Sequence, residues 1–322
     1  MKRTALVTGA GGAIGSTLVR HLAKRGYKVR ALVREPAASM PAGVEVVCGD
    51  ITDCGLIRQT VAGMDAVFHL AAKLHLNNPA PDLKAEYFRV NVEGTRCLAQ
   101  AARAENVKRL IFFSTISVYG DSQPGQLLDE ESTLRPDSWY AETKIEGERV
   151  ALSEMPSVAL RVAAVYGPRM KGNYPRLVEA IRRRRLALVG DGNNRRTLVH
   201  TEDVCDAAIA AAERPAAAGR IFNVTDGGVH TMREIIAAIA AALEQRPPGL
   251  HLPARPVRLV AGLLEDALRI AGKKSFVGRA TIDKLTEDIA VSGDKIQLHL
   301  GFQPRFDLQS GWRQTIEQMN LQ

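Results

Sequence analysis

Through the first half of the chain, short apolar runs alternate with longer segments of helical spacing, the rhythm of repeated strand–helix–strand units. The pattern predicts strands over Thr4–Thr8, Lys28–Val33, Val44–Cys48, Ala66–Leu70, Leu110–Phe113 and Val158–Val162. Crossover helices are predicted over Ile14–Arg25, Leu83–Ala104 and Ser138–Leu152. Strands apolar along their whole length belong in a parallel sheet covered on both faces, so the expected fold class is α/β with a doubly wound parallel sheet.

After Tyr166-Gly167-Pro168 the rhythm breaks, and a basic helix is predicted over Pro175–Arg185. Val204–Ala212 reads as a helix and Ile221–Val224 as a strand that returns to the first domain. The expected division is a first domain over 1–166, rejoined at 201–224, and a smaller, discontinuous C-terminal α/β substrate lobe over 167–200 and 225–322. Pro256–Gly272 has the periodicity of an amphipathic helix, with Val257, Leu259, Val260, Leu263, Leu264, Ala267, Leu268 and Ile270 as its apolar positions. Such a stripe reads first as a core-packing face and second as a membrane-docking one.

Composition narrows this picture. The 322 residues are 46% hydrophobic, 24% charged and 5% aromatic, which excludes a disordered or fibrous chain. A net charge of +8 points to anionic partners, yet the richest run, Arg182–Arg185, reads as a solvated helix face. No aromatic residues interleave it as a nucleic-acid stacking platform needs, so phosphate on a small molecule is expected and nucleic acid is not. Cys48, Cys54, Cys97 and Cys205 show no metal-ligand spacing and are expected as reduced thiols, with no metal site. Strand-like residues begin at Thr4 and no apolar run has the length of a membrane span, so a cytoplasmic protein without an integral membrane segment is expected.

Thr8-Gly9-Ala10-Gly11-Gly12-Ala13-Ile14-Gly15 follows the first strand and opens a helix. Gly9 permits the tight turn, Gly12 lets backbone approach a pyrophosphate, and Gly15 lets helix pack on strand. The N–H groups of the helix start, at Ala13 and Ile14, then face the anion. The second strand ends at Arg34, with Glu35 beyond it. A guanidinium there pairs with a 2′-phosphate and favours NADP(H) over NAD(H); if Arg34 instead stacks on adenine and Glu35 takes the ribose, NAD fits.

Tyr140 and Lys144 stand four residues apart and share a helix face. An ammonium beside a phenol stabilises its phenolate, which then exchanges a proton with a substrate hydroxyl. A third member is expected where the fifth strand leaves the sheet, and spacing alone leaves Ser114, Thr115 and Ser117 open.

Together, Thr8–Gly15, Gly49-Asp50-Ile51, His69–Ala72, Asn91–Thr95, Ser114–Gly120, Tyr140–Lys144, Leu160–Pro168, Gly190–Val204 and Phe222–Val224 resemble the extended short-chain dehydrogenase/reductase superfamily, in its NAD(P)-dependent epimerase/dehydratase branch. The resemblance implies a Rossmann domain in which Thr115, four residues before Tyr119, takes the catalytic Ser/Thr position and faces the substrate with Ser117, Tyr140 is the acid/base and Lys144 also holds the nicotinamide ribose. It implies that Asp50 and Ile51 flank the adenine, that Leu70, Ala71 and Ala72 line the cofactor, and that Asn91 is structural support. Arg196 takes the place of an arginine that contacts the diphosphate of a nucleotide-sugar, with Asn173 beside it. A homodimer through Leu83–Ala104 and Ser138–Leu152 is also implied. The Asp-Glu pair of the family's dehydratases is replaced by Ile116 and Ser117, which removes that elimination. A nucleotide-sugar epimerase or keto-reductase is therefore expected. Ala164, where many nucleotide-sugar enzymes have asparagine, suits a less polar ligand, and the second expectation is an NADPH-dependent reductase of a non-sugar ketone or sterol-like alcohol.

Overall fold

The computed structural model describes residues 3–35, 40–74, 83–123, 125–249, 251–270, 278–279, 282–283 and 287–320. Seven parallel strands form the central sheet: β1 (Thr4–Thr8), β2 (Lys28–Val33), β3 (Glu45–Cys48), β4 (Ala66–His69), β5 (Arg109–Thr115), β6 (Val158–Val162) and β11 (Ile221–Val224). Their order is β3-β2-β1-β4-β5-β6-β11, so the chain winds outward from β1 in both directions. The point between β1 and β4 where the winding reverses is where such sheets open a crevice at their carboxyl ends.

Every residue of β4 and β6 is buried, including the polar His69 and Arg161. On one face, α1 (Ala13–Lys24) and α7 (Thr201–Glu213) pack Leu18, Val19, Leu22, Val204 and Ala208 onto Val7 and Phe222. On the other, α2 (Cys54–Val61), α4 (Gly94–Ala104) and α5 (Trp139–Glu154) bury Ile57, Leu98 and Ala151 against Leu6 and Phe112. The helix predicted over Leu83–Ala104 is divided: α3 (Lys84–Phe88) and α4 flank a π-helical turn, Arg89–Glu93.

Outside the central sheet the strands are short. Strands β7 (Ala164–Tyr166) and β10 (Leu198–His200) pair in parallel. Two-residue strands also pair, β8 (Leu188–Val189) with β13 (His251–Leu252) and β9 (Arg195–Arg196) with β12 (His230–Thr231). A third apolar cluster joins α6 (Asn173–Arg182), α8 (Met232–Ala242) and the C-terminal helix Leu308–Gln318. Trp312 at its centre stacks on Tyr166, ring centroids 4.6 Å apart.

Two expectations are corrected. Cys54 and Cys97 are not free thiols but form a disulfide between α2 and α4, with Cα atoms 5.3 Å apart. The two helices lie side by side on one face of the sheet, which brings together residues 43 apart in sequence; cysteine spacing gives no sign of that. Cys48 and Cys205 are free, as expected. The amphipathic helix exists as α9 (Ala254–Ile270), but Leu259, Val260, Leu263 and Leu264 face solvent rather than a core. Gly272, its expected end, lies outside the described residues. Arg182 and Arg183 are exposed and pair with Glu179, the solvated face the sequence suggested.

Candidate active site

The glycine turn is held by backbone alone. Gly9 has φ +66°, and a Cβ there would lie 2.8 Å from the amide nitrogen of Ala71. A Cβ on Gly15 would lie 2.3 Å from the carbonyl oxygen of Gly9. Both contacts are with backbone, which cannot move aside as a flexible side chain would. Gly12 caps α1 without a side-chain hydrogen bond, and no acidic residue stands in the first turn. The N–H groups at Ala13 and Ile14 therefore sit at an uncapped, electropositive helix end, which fits a dinucleotide pyrophosphate.

Beneath this turn runs a buried chain of hydrogen bonds, and one direction satisfies all of its members. Ala71 N–H donates to Thr8 Oγ1 (3.1 Å), whose hydroxyl donates to His69 Nδ1 (2.8 Å). His69 Nε2–H donates to Thr95 Oγ1 (2.9 Å), whose hydroxyl donates to the Asn91 carbonyl (2.7 Å). Burial, with the Lys144 ammonium nearby, pushes the His69 imidazole down to about 3, so it is neutral. The Asn91 side chain accepts from Lys73 N–H (2.7 Å) and donates to Thr143 Oγ1 (3.0 Å), tying the π-helical turn to α5. That is the supporting role expected of Asn91.

The other predicted cofactor residues are less uniform. Leu70, Ala71 and Ala72 follow β4 and are partly buried. Asp50 accepts from the Thr52 amide (2.8 Å) and hydroxyl (2.7 Å), which hold its carboxyl below the usual range, with smaller contributions from Arg89 and Arg34. Ile51 is buried against the position of Gly94, where an added Cβ would approach within 3.0 Å. Arg34 is exposed.

At the carboxyl end of β5 the three hydroxyls separate. Ser114 is buried and donates to Glu148, whose carboxylate also pairs with Arg161 at 2.8 Å. Thr115 and Ser117 instead line a cavity of about 340 Å³. Thr115 Oγ1 accepts from the Ser117 amide (3.2 Å) and donates to Ser117 Oγ (3.2 Å). Asn173 and Arg196 line the same cavity, so four predicted substrate residues meet although up to 81 positions separate them. The remaining walls are mostly apolar, among them Ile116, Ala164, Leu177, Leu188, Met232 and Ile289.

Tyr140 and Lys144 are not among these wall residues; both project from α5, which begins at the Ser138 cap. The Lys144 ammonium lies 4.4 Å above the Phe112 ring on β5, and burial pushes it down to about 8. Burial, with a smaller contribution from Tyr87, pushes the Tyr140 phenol up to about 12, so desolvation sets its titration in this structure.

Several site residues carry no local signal in sequence. Glu287 faces the cavity and pairs with Arg196 at 2.8 Å, both nearly buried. Arg161, a charge inside an apolar strand, needs a buried partner; Glu148 supplies it, and Tyr119 donates to Asn223 (2.7 Å) beside it.

The pattern of the family described as "NAD dependent epimerase/dehydratase family" matches residues 5–225. The chain is 31% identical to a UDP-glucose 4-epimerase of Vibrio cholerae, covering 98% of this chain and 95% of that protein. It is 30% identical to a 2-alkyl-3-oxoalkanoate reductase of Stenotrophomonas maltophilia (strain K279a), covering 96% and 97%. Among solved structures, MoeE5 in complex with UDP-glucose and NAD superposes with a TM-score of 0.78 at 28% identity over 98% of both chains.

Proposed function

The chain belongs to the NAD-dependent epimerase/dehydratase family of extended short-chain dehydrogenase/reductase enzymes, and from that premise we propose that it interconverts an alcohol and a ketone on a nucleotide-diphosphate sugar, as an epimerase or keto-reductase. One observation carries this reading: a single cavity joins Thr115 and Ser117, at the carboxyl end of β5, to Asn173 and Arg196. Hydroxyls suit the reacting sugar, and a guanidinium suits a diphosphate. Residues 1–166 with 201–224 form the cofactor-binding part in this reading, and 167–200 with 225–322 the substrate lobe.

A bound nicotinamide dinucleotide supplies hydride acceptance and donation at the substrate carbon. Gly9, Gly12 and Gly15, with the N–H groups of Ala13 and Ile14, hold its pyrophosphate, while Asp50, Ile51, Leu70, Ala71 and Ala72 flank its remaining parts. Tyr140, a neutral phenol in this structure, gives its proton to the carbonyl oxygen in reduction, and in the oxidising direction its phenolate form takes the proton from the substrate hydroxyl. Thr115 donates a hydrogen bond to that oxygen. Lys144 holds the nicotinamide ribose and offsets negative charge at Tyr140 Oη. Ile116 and Ser117 offer no carboxylate for elimination. Arg34 inclines the site toward NADP(H), and the homodimer forms through α3, α4 and α5.

A second reading, reduction of a non-sugar ketone, is favoured by the apolar cavity walls and by Glu287, which already pairs with Arg196. Likeness to the 2-alkyl-3-oxoalkanoate reductase supports it. Incubating the protein with UDP-hexoses and their 4-keto forms, with each nicotinamide cofactor, separates the two. A new epimer, or NADPH consumed by the keto-sugar, supports the first reading. NADPH consumption with alkyl ketones only, and no thermal shift with any nucleotide-sugar, rejects it in favour of the second.

A further inference from the structure

Helix α9 turns its apolar residues outward. Leu259, Val260, Leu263 and Leu264 are 64, 64, 61 and 51% exposed, and their spacing gathers them on one side of the helix. The opposite side is small: Ala261 and Gly262 are buried, and a Cβ on Gly262 would collide with the Arg279 guanidinium. The helix thus buries Ala261 and Gly262, half-buries Val257 and Leu268, and presents its wide apolar strip to solvent. Isolated exposed leucines are ordinary, whereas four large ones together on one face mark a surface that is covered in use.

Charge selects the cover. From Arg246 to Lys284 the chain has eight Lys and Arg against three Asp and Glu, more than half of the whole protein's excess of +8. Arg255, Arg258 and Arg269 are exposed on the helix itself. Arg258 pairs with Asp283 and Arg269 with Asp266, while the segment as a whole keeps its positive excess. An exposed apolar strip bordered by Arg255, on a segment with surplus positive charge, matches an anionic lipid surface.

We propose that α9 docks this enzyme on an anionic bilayer, its apolar strip entering the boundary between headgroups and acyl chains. Strand β13, immediately before α9, is paired with β8, whose Leu188 and Val189 are walls of the cavity. Docking therefore sets the cavity wall beside the bilayer through a continuous backbone connection.

The test is co-sedimentation of the full chain with phosphatidylcholine vesicles, with and without phosphatidylglycerol. The wild type should bind vesicles containing phosphatidylglycerol, more weakly as salt rises, and should bind phosphatidylcholine alone poorly. Val260→Glu combined with Leu263→Glu should lower partitioning at least about tenfold, and Arg255→Glu by less. Both variants alter exposed side chains, and an unchanged melting temperature verifies that they fold. No binding to the anionic vesicles, or equal binding by the Val260→Glu/Leu263→Glu variant, overturns the proposal. So does self-association of the wild type that this variant abolishes, because a second copy of the chain would then be the cover.

Discussion

The glycine turn and the substrate cavity lie at the carboxyl edge of one sheet and are built in opposite ways. The turn is made of backbone: at Gly9 and Gly15 the next atoms are carbonyl and amide groups, and one added carbon collides with them. Below it, His69 is a buried titratable group kept neutral between two threonines. The cavity is made of side chains from distant segments, and its charge comes in pairs, Arg196 with Glu287 and, alongside, Arg195 with Asp288. A backbone site fixes what it binds by shape and leaves little to adjust. A site of paired charges sets its preference by a balance that one substitution shifts.

Tyr140→Phe separates the two regions most sharply, since Tyr140 belongs neither to the turn nor to the cavity wall. It should lower turnover about 10²–10⁴-fold while cofactor affinity stays within about twofold. Steady-state rates beside a cofactor titration check this, and retained turnover removes Tyr140 from the mechanism. On the turn side, burial holds the His69 imidazole near 3, far below the ordinary value of about 6.5. Below pH 6.5 the unfolded chain takes up a proton that the folded chain refuses, so stability falls as pH drops from 6.5 toward 3, by up to about 4 kcal/mol from this group. His69→Gln, which can still accept and donate, should flatten the fall of melting temperature between pH 6.5 and 4.5. An unaltered slope would assign acid sensitivity to other groups.

Gly15→Val tests the turn itself. With backbone 2.3 Å from the new Cβ, α1 must move, and cofactor affinity should fall at least about 100-fold in a protein that retains its sheet by circular dichroism. Near-normal affinity would mean that close approach at Gly15 does not shape the site. Glu287→Gln tests the cavity. Removing the carboxylate that competes for Arg196 should tighten UDP binding about tenfold by calorimetry. Unchanged affinity would show that the pair does not govern anion binding.

These contrasts also explain what was legible beforehand. Strands Lys28–Val33, Val158–Val162 and Ile221–Val224 match their predicted bounds because short, mostly apolar runs mark the strands of a covered parallel sheet even where Arg30, Arg161 and Asn223 interrupt them. The glycine turn is local, so its requirements are written in consecutive residues. Glu287 is 91 residues from Arg196, and no short window contains both. Cys54 and Cys97 meet only because α2 and α4 are neighbours on the sheet. The sequence leaves open which way the apolar face of α9 turns because periodicity reports that a helix has an apolar side but not whether anything lies against it.

The smallest effect is expected at Arg34, where the two modes of construction meet: a side chain beside a backbone site. Its place after β2 suits a 2′-phosphate, but it is exposed, and the Asp50 carboxylate is near enough for the two charges to be felt together. Solvent screening weakens an exposed charge pair, and Asp50 opposes added negative charge there. Arg34→Ala should therefore reduce the preference for NADP over NAD only about three- to tenfold at low ionic strength, and less at high salt. Titrating wild type and variant with both cofactors at two salt concentrations measures this ratio directly. A ratio that does not move assigns Arg34 to the adenine face, and Glu35 then becomes the residue to alter next. A ratio that moves equally at both salt concentrations would mean that the guanidinium binds the phosphate as a shielded, directional contact rather than as a surface charge.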